Sequence, residues 1–314
     1  MTQPEIALVA PMMPTVMSVL EQRYTLHRLY EAADKAGFLA EIGGSVRGIA
    51  TNGHAGAGAE LMDALPKLEI IASYGVGYDA VDVPHAVARG VVVTNTPDVL
   101  NDDVANLAVG LLLAASREMV RADRHVRAGR WPDGDMPLAR SIRGKPVGIL
   151  GLGRIGKDIA TKLQVFGCDL AYHGRHEQTD QPYRYYPDLV AMAGDCEYLI
   201  VICPATPETR GVVDRAVMDA LGPQGTLINV ARGSIVDEPE LVQALSDGRL
   251  GGAALDVFVD EPRVPEALLS MENVILQPHI GSATVETRQA MGDLVLRNLA
   301  LHFAGEPVAT PVSA

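Results

Sequence analysis

Cysteine is scarce in this chain. Only Cys168, Cys196 and Cys203 occur among 314 residues, and their spacing matches no metal-ligand pattern. So sparse and odd a count excludes a disulfide framework, calls for no bound metal, and points to reduced thiols in a cytoplasmic protein. Positive charge is scarce too: 26 Lys and Arg against 39 Asp and Glu give a formal net charge of −13. That balance argues against nucleic acid or an anionic membrane as a partner, because both demand basic patches. An anionic ligand must therefore be held by local positive groups working against the overall field. A long apolar run is also missing. The most apolar stretch, LAVGLLLAA from Leu107 to Ala115, is far shorter than the roughly 20 residues that span a bilayer. It reads as a buried helix, either in the core of one subunit or at an interface between subunits. The opening MTQPEIALVA lacks the basic and apolar regions of a signal peptide, so none is expected. No tandem repeat or low-complexity segment is present.

What the chain does have is regular alternation of short β-rich runs with helical patterns, the mark of parallel βαβ units. A first series of strands reads at Ile6–Ala10, Thr25–Leu29, Gly48–Thr51, Ile70–Ser73 and Val91–Thr94. A long helical stretch then runs from about Asp102 past Arg117. A second series begins at Val147 and continues at Asp169–His173, Tyr198–Cys203, Thr226–Val230, Ala253–Val257 and Val274–Leu276. The last helix, from Thr284 to about Phe303, places Met291, Leu294, Val295, Leu299 and Phe303 on one face. The tail from Gly305, with Pro307 and Pro311, is expected to be loosely held. Five strands and then six predict an α/β protein of two Rossmann-like or flavodoxin-like parallel-sheet domains, with the active-site cleft between them.

The run VGILGLGRIG joins an apolar strand to an amphipathic helix through Gly151, Gly153 and Gly156. In a dinucleotide-binding turn the first glycine permits the tight bend, the second lets the pyrophosphate approach the backbone, and the third allows close helix–strand packing. The helix N-terminus then offers N–H groups and partial positive charge to phosphates. About 20 residues later such folds usually carry an acid for the ribose 2′-hydroxyl. Here the stretch AYHGRH offers His173, Gly174, Arg175 and His176 instead. A carboxylate would repel a 2′-phosphate, whereas a guanidinium grips one through charge-assisted hydrogen bonds. This predicts NADP(H) as the cofactor, with Arg175 as its main discriminating contact. A solvated loop arginine is the bland alternative.

Three further segments leave a polar residue near a strand end: LINVARGSIVD with Arg232, LDVFVDEP with Glu261, and LQPHIGSAT with His279. Reduction of a carbonyl needs a proton donor for the developing alkoxide, and histidine supplies one near neutral pH. A carboxylate beside it favours the protonated ring and fixes its orientation. An arginine binds the carboxylate of a 2-oxo acid and polarises its carbonyl. Singly, each has an ordinary reading as a core histidine, a surface charge and a salt-bridge partner.

Together these segments resemble the D-isomer-specific 2-hydroxyacid dehydrogenases along nearly the whole chain. By that resemblance Arg232 positions the substrate, Glu261 supports the histidine and His279 is the general acid. The loop SYGVGYD is similar to the family's substrate-carboxylate loop, with the N–H groups of Val76 and Gly77 as donors. The resemblance also implies cofactor contacts at Leu152, Arg154, Ile155, Cys203, Pro204, Thr209, Val230, Ala231, Asp256 and Gly281. It implies a cofactor domain at 99–285 inserted into a substrate domain of 1–98 plus 286–314, and a homodimer formed through the cofactor domain. DALPKLEI, NTPDVLNDDVANLAVGLLLA and GSATVETRQAMGDLV resemble the NADPH-dependent glyoxylate, hydroxypyruvate and hydroxyphenylpyruvate reductases. The implied substrate is a small 2-oxo acid, with bulkier aryl-pyruvates or a cofactor-sensing corepressor role as alternatives. Met12, Met13, Tyr74 and Met136 are candidates for lining a pocket, with plain packing equally open. Trp131, the sole tryptophan, sits in GRWPDGDMP, where related enzymes sometimes bring a residue to a neighbour's active site.

Overall fold

A computed structural model of the chain describes residues 3–312. They form two compact units, one running to Leu100 and resuming at Ser282, the other spanning Asn101–Gly281.

The first unit is built on five parallel strands, β1 (Glu5–Leu8), β2 (Thr25–Arg28), β3 (Val46–Asn52), β4 (Ile70–Tyr74) and β5 (Val92–Thr94), in the order β2-β1-β3-β4-β5. Parallel strands are covered on both faces and so read as continuous apolar runs. β4, IIASY, is buried at every residue. The order places a switch point beside β1 and β3 and leaves the carboxyl ends of the strands as the edge where loops collect. The helix Val285–Phe303 belongs to this unit and buries Met291, Val295, Leu296 and Leu299. Leu294 and Phe303, expected on the same face, are half-buried. Of the candidate pocket residues, Tyr74 is packed inside this unit and donates its hydroxyl to the Arg288 carbonyl at 2.6 Å. The tail departs from the expectation of loose attachment. Val312 donates to the Val93 carbonyl at 2.8 Å, and Pro311 bridges antiparallel to Thr94, so the tail lengthens the sheet at its β5 edge. Composition misleads here because much of the attachment is made by a buried amide elsewhere, Asn298, with Val312 packing against the core beside it.

The second unit carries seven parallel strands: β6 (Pro146–Leu150), β7 (Asp169–His173), β8 (Arg184–Tyr186), β9 (Tyr198–Val201), β10 (Thr226–Asn229), β11 (Gly252–Leu255) and β12 (Val274–Leu276). Their order is β12-β11-β10-β9-β6-β7-β8. This is the doubly wound dinucleotide-fold order with one added strand, and its switch point lies between β6 and β9. The sequence predicts six strands; β8 is the extra one, three residues long and paired to β7 through His173 and Tyr186. The long helical stretch also differs from expectation. The helix Asn101–Ser116 ends before Arg117, Glu118 turns left-handed at φ 51°, and a second helix follows at Met119–Arg127. No glycine or proline marks that break; an ion pair from Arg121 to Glu118 at 2.7 Å accompanies it. Val104, Ala105, Ala108, Val109, Leu111 and Leu112 of the first of these helices are buried within the unit. Among the described residues no helix is long and apolar enough to cross a membrane.

Candidate active site

The parallel sheet of the second unit brings five of the singled-out segments to one edge. Gly151 follows β6, Cys203 follows β9, Arg232 follows β10, Asp256 and Glu261 follow β11, and His279 follows β12. Their convergence is a consequence of strand direction alone, since every carboxyl end in the sheet points the same way.

At the switch point the glycines are explained one by one. Gly151 has φ 104°, and a Cβ there would come within 2.7 Å of the Cys203 backbone nitrogen. A Cβ on Gly156 would collide with the Gly151 carbonyl, so the helix Arg154–Val165 packs against the turn only because that side chain is missing. Gly153 faces open space instead. Neighbouring helices of this unit are capped by aspartates: Asp188, Asp214 and Asp237 each accept the N–H three residues on, at 2.7, 3.1 and 3.2 Å. The helix at the glycine turn has no side-chain cap and no acid in its first turn. With no acid at that end, the helix dipole favours an anion there. The residues present therefore fit a dinucleotide pyrophosphate, with Gly151, Gly153, Arg154, Ile155 and Gly156 around it. Leu152 is buried and gives its carbonyl to Gln178 Nε2 at 2.8 Å.

Beyond β7 the segment His173–Arg175 is held by its surroundings. His173 Nδ1 donates to the Tyr186 carbonyl at 2.9 Å, and Tyr185 donates to the Gly174 carbonyl at 3.3 Å. Arg175 is exposed. Glu208, on the loop after β9, is held below the usual carboxylate range first by the Thr206 hydroxyl and last by the charge of Arg175. Arg175 is thus an electrostatic neighbour of the loop that carries Pro204 and Thr209. Thr209 organises that loop itself: its Oγ1 donates to the Pro204 carbonyl and accepts from Thr206 N–H, both at 2.8 Å. Cys203 is buried, and burial pushes its thiol up to about 11. It acts as a small packing residue with its backbone against Gly151, not as a nucleophile.

The strongest arrangement is at His279. Its Nδ1 lies 2.8 Å from Glu261 Oε2, while Glu261 Oε1 accepts the Phe258 N–H at 2.9 Å. With both carboxylate oxygens engaged, the glutamate fixes the ring and leaves proton exchange to Nε2. The histidine backbone is itself constrained at φ 53°, a conformation that non-glycine residues rarely adopt. Asp256 holds it there. The Asp256 carbonyl accepts His279 N–H at 2.9 Å, and its carboxylate accepts the N–H groups of Ile280 and Gly281 at 2.7 and 2.9 Å. Burial raises the Asp256 carboxyl above its usual range, and these two N–H bonds pull against that rise. The sequence points to Asp256 and Gly281 only as cofactor neighbours; the structure shows them as the two ends of this backbone grip.

Arg232 is placed by an equally local device. Asn229, fully buried at the end of β10, accepts Ala231 N–H at 3.1 Å and donates to the Arg232 carbonyl at 2.9 Å. Val230 and Ala231, both buried, form the turn that this amide closes. Arg232 Nη1 donates to the Ala231 carbonyl at 2.7 Å. The next residue, Gly233, packs so tightly that a Cβ would fall on the carbonyl carbon of Phe258. That contact locks the Arg232 loop to the loop of Glu261. We expect Gly233→Ala to destabilise this unit by about 3 kcal/mol, at the upper end for an overpacked site. A drop in melting temperature should accompany a fall in kcat/KM, because the clash lies between two loops that position side chains. Sequence reading missed Asn229; its place just before the Ala-Arg-Gly run was the available signal. In the first unit, the loop after β4 presents Val76 and Gly77. Among the described residues neither of their N–H groups donates to a protein acceptor.

Comparison with known proteins finds relatives along nearly the whole chain. Residues 109–281 match the model of the NAD-binding domain of D-isomer-specific 2-hydroxyacid dehydrogenases. The chain is 50% identical over 307 residues to hydroxyphenylpyruvate reductase of Plectranthus scutellarioides, covering 98% of each. It is 49% identical over 307 residues to glyoxylate/hydroxypyruvate reductase A of Arabidopsis thaliana, again covering 98% of each. Among solved structures, an NADPH-dependent glyoxylate/hydroxypyruvate reductase of Sinorhizobium meliloti, in complex with NADP and malonate, superposes with a TM-score of 0.93 at 48% identity. That match covers 99% of this chain and 97% of the other.

Proposed function

The chain belongs to the D-isomer-specific 2-hydroxyacid dehydrogenases, and from that membership we propose that it uses NADPH to reduce small 2-oxo acids, glyoxylate and hydroxypyruvate, to D-2-hydroxy acids. The observation that carries this reading is the Glu261–His279 pair, 2.8 Å apart, on the same sheet edge as an uncapped glycine turn. Gly151 to Gly156 hold the pyrophosphate, and Arg175 holds the 2′-phosphate. Bound there, NADPH supplies a hydride to C2 of the substrate.

The remaining chemistry belongs to the protein. The N–H groups of Val76 and Gly77 bind the substrate carboxylate. Arg232 binds the same acid and polarises its carbonyl, withdrawing electron density as negative charge grows on the oxygen. His279 Nε2 gives that oxygen its proton. Glu261 stabilises the charged ring before the transfer and keeps Nε2 aimed afterwards. Asp256 sets the backbone from which the ring projects.

We place the enzyme in the cytoplasm, which suits three free cysteines. We also read it as a homodimer through the second unit. The helix Met119–Arg127 buries no residue, and Met119, Val126, Trp131 and Leu138 are exposed along this part of the chain. These four exposed apolar side chains support contact with another subunit.

A second reading is reduction of aryl-pyruvates, favoured by the 50% identity to a hydroxyphenylpyruvate reductase. The test is a kinetic panel of glyoxylate, hydroxypyruvate, phenylpyruvate and hydroxyphenylpyruvate with NADPH and with NADH. The expected result is a higher kcat/KM for the two small acids, with NADPH preferred about tenfold or more, as a charge-assisted contact provides. A higher value for the aryl acids establishes the second reading. NADPH binding without oxidation by any acid overturns both and leaves a sensor.

A further inference from the structure

The tail that was expected to be loose is bonded to Asn95, which in turn holds the substrate loop. Asn298, on the last helix and fully buried, accepts the N–H groups of Ala309 and Thr310 on one oxygen, at 2.9 and 3.1 Å. Its amide nitrogen donates to Thr310 Oγ1 at 2.8 Å. Thr310 Oγ1 in turn donates to the Asn95 carbonyl at 2.6 Å. Asn95 completes the chain of contacts, donating from Nδ2 to the carbonyl of Val76 at 2.9 Å. Beside it, Thr96 N–H donates to the Gly75 carbonyl at 2.9 Å.

Every link faces a carbonyl or a side chain, and none uses the Val76 or Gly77 N–H. The carbonyls of the loop are therefore tied back into the unit while its two N–H groups are turned outward. A peptide plane is rigid, so fixing its carbonyl fixes the direction of the N–H on its other side. The Val76 carbonyl shares its plane with the Gly77 N–H, and the Gly75 carbonyl shares its plane with the Val76 N–H. Two anchors on consecutive planes thus aim two consecutive donors.

We propose that the segment Ala309–Val312 is a strap that sets the substrate-carboxylate loop through Asn298, Thr310 and Asn95, making these three positioning residues for 2-oxo acid binding. The inference rests on the reading that Val76 and Gly77 bind the substrate carboxylate. Thr310 is its most informative point, because its hydroxyl joins the last helix to the Asn95 carbonyl by short bonds, beside a longer bond of 3.4 Å from the Asn95 N–H to the Thr310 carbonyl.

Thr310→Val keeps the shape and removes that hydroxyl, whereas Thr310→Ser keeps it. Measured with glyoxylate, Thr310→Val should raise KM about three- to tenfold, the effect of losing a neutral hydrogen bond, and leave kcat within about twofold. A binding measurement without turnover uses oxamate, an unreactive 2-oxo acid analogue, titrated into the enzyme–NADPH complex by NADPH fluorescence. Its Kd should rise by the same factor in Thr310→Val and stay native in Thr310→Ser, with the Kd for NADPH unchanged in both. Val76→Pro, which deletes one of the donors, tests the underlying reading. If Val76→Pro weakens oxamate and Thr310→Val does not, the strap is wrong and the carboxylate loop stands. If Val76→Pro binds oxamate as the native protein does, the loop assignment fails and the strap falls with it. Equal weakening of oxamate and NADPH in Thr310→Val means general loosening and also overturns the proposal.

Discussion

His279→Gln should lower kcat for glyoxylate reduction by about two to four orders of magnitude, the usual contribution of a positioned general acid. Binding of NADPH should stay at its native strength. Glutamine keeps a polar group of similar reach, so the site is not emptied, but it has no proton to release near neutral pH. The separation of effects follows from where the residues stand. The coenzyme contacts are assigned to the turn Gly151–Gly156 and to Arg175, whereas His279 follows β12 and is fastened by Glu261 and Asp256. Steady-state turnover and an equilibrium titration of NADPH fluorescence measure the two quantities independently. A glutamine variant that kept more than about a tenth of native kcat would remove His279 from the acid role. One that lost NADPH binding and turnover together would show instead that the ring supports the coenzyme site.

Much of this arrangement was legible in the sequence, for a definite reason. Parallel strands give apolar runs, and the polar residue that ends each run must lie at the carboxyl edge, so Gly151, Arg232, Glu261 and His279 could be assigned to one edge before any coordinates. What fixes their mutual geometry left no such trace. Asp256 works by accepting backbone N–H groups some two dozen residues later, and Asn229 by closing a turn over Ala231 and Arg232. A carboxylate or amide gripping main chain has no periodicity and no preferred neighbour in sequence. β8 was missed because three residues cannot show a period, and only Tyr186 of the three is buried. The break at Glu118 was missed because a left-handed turn usually announces itself with glycine or asparagine. The strap was missed for the complementary reason: Pro307 and Pro311 spoke for a loose end, while its anchor, Asn298, lay hidden in a helix that reads only as amphipathic.

Arg175→Ala should weaken NADPH about 10- to 100-fold, the range expected for loss of a charge-assisted phosphate contact. NADH, which lacks the 2′-phosphate, should bind the variant as it binds the native protein. The chain carries a net charge of −13, so a dianionic phosphate approaches against the mean field and depends on the few positive groups near its site. Glu208 sharpens the point. It feels the charge of Arg175, so removing that guanidinium also leaves this carboxylate without that counter-charge. Arg175→Lys should recover only part of the affinity, since an ammonium keeps the charge but not the planar fork. Ionic strength gives a second readout that a merely structural role would not move. Arg175 is exposed, so salt screens its attraction for the phosphate. Raising salt should therefore weaken NADPH more steeply in the native protein than in Arg175→Ala, while NADH responds alike in both. Parallel salt dependences for NADPH, or equal losses of NADPH and NADH in Arg175→Ala, would mean that the coenzyme choice is made elsewhere, with His173 and His176 the next groups to test.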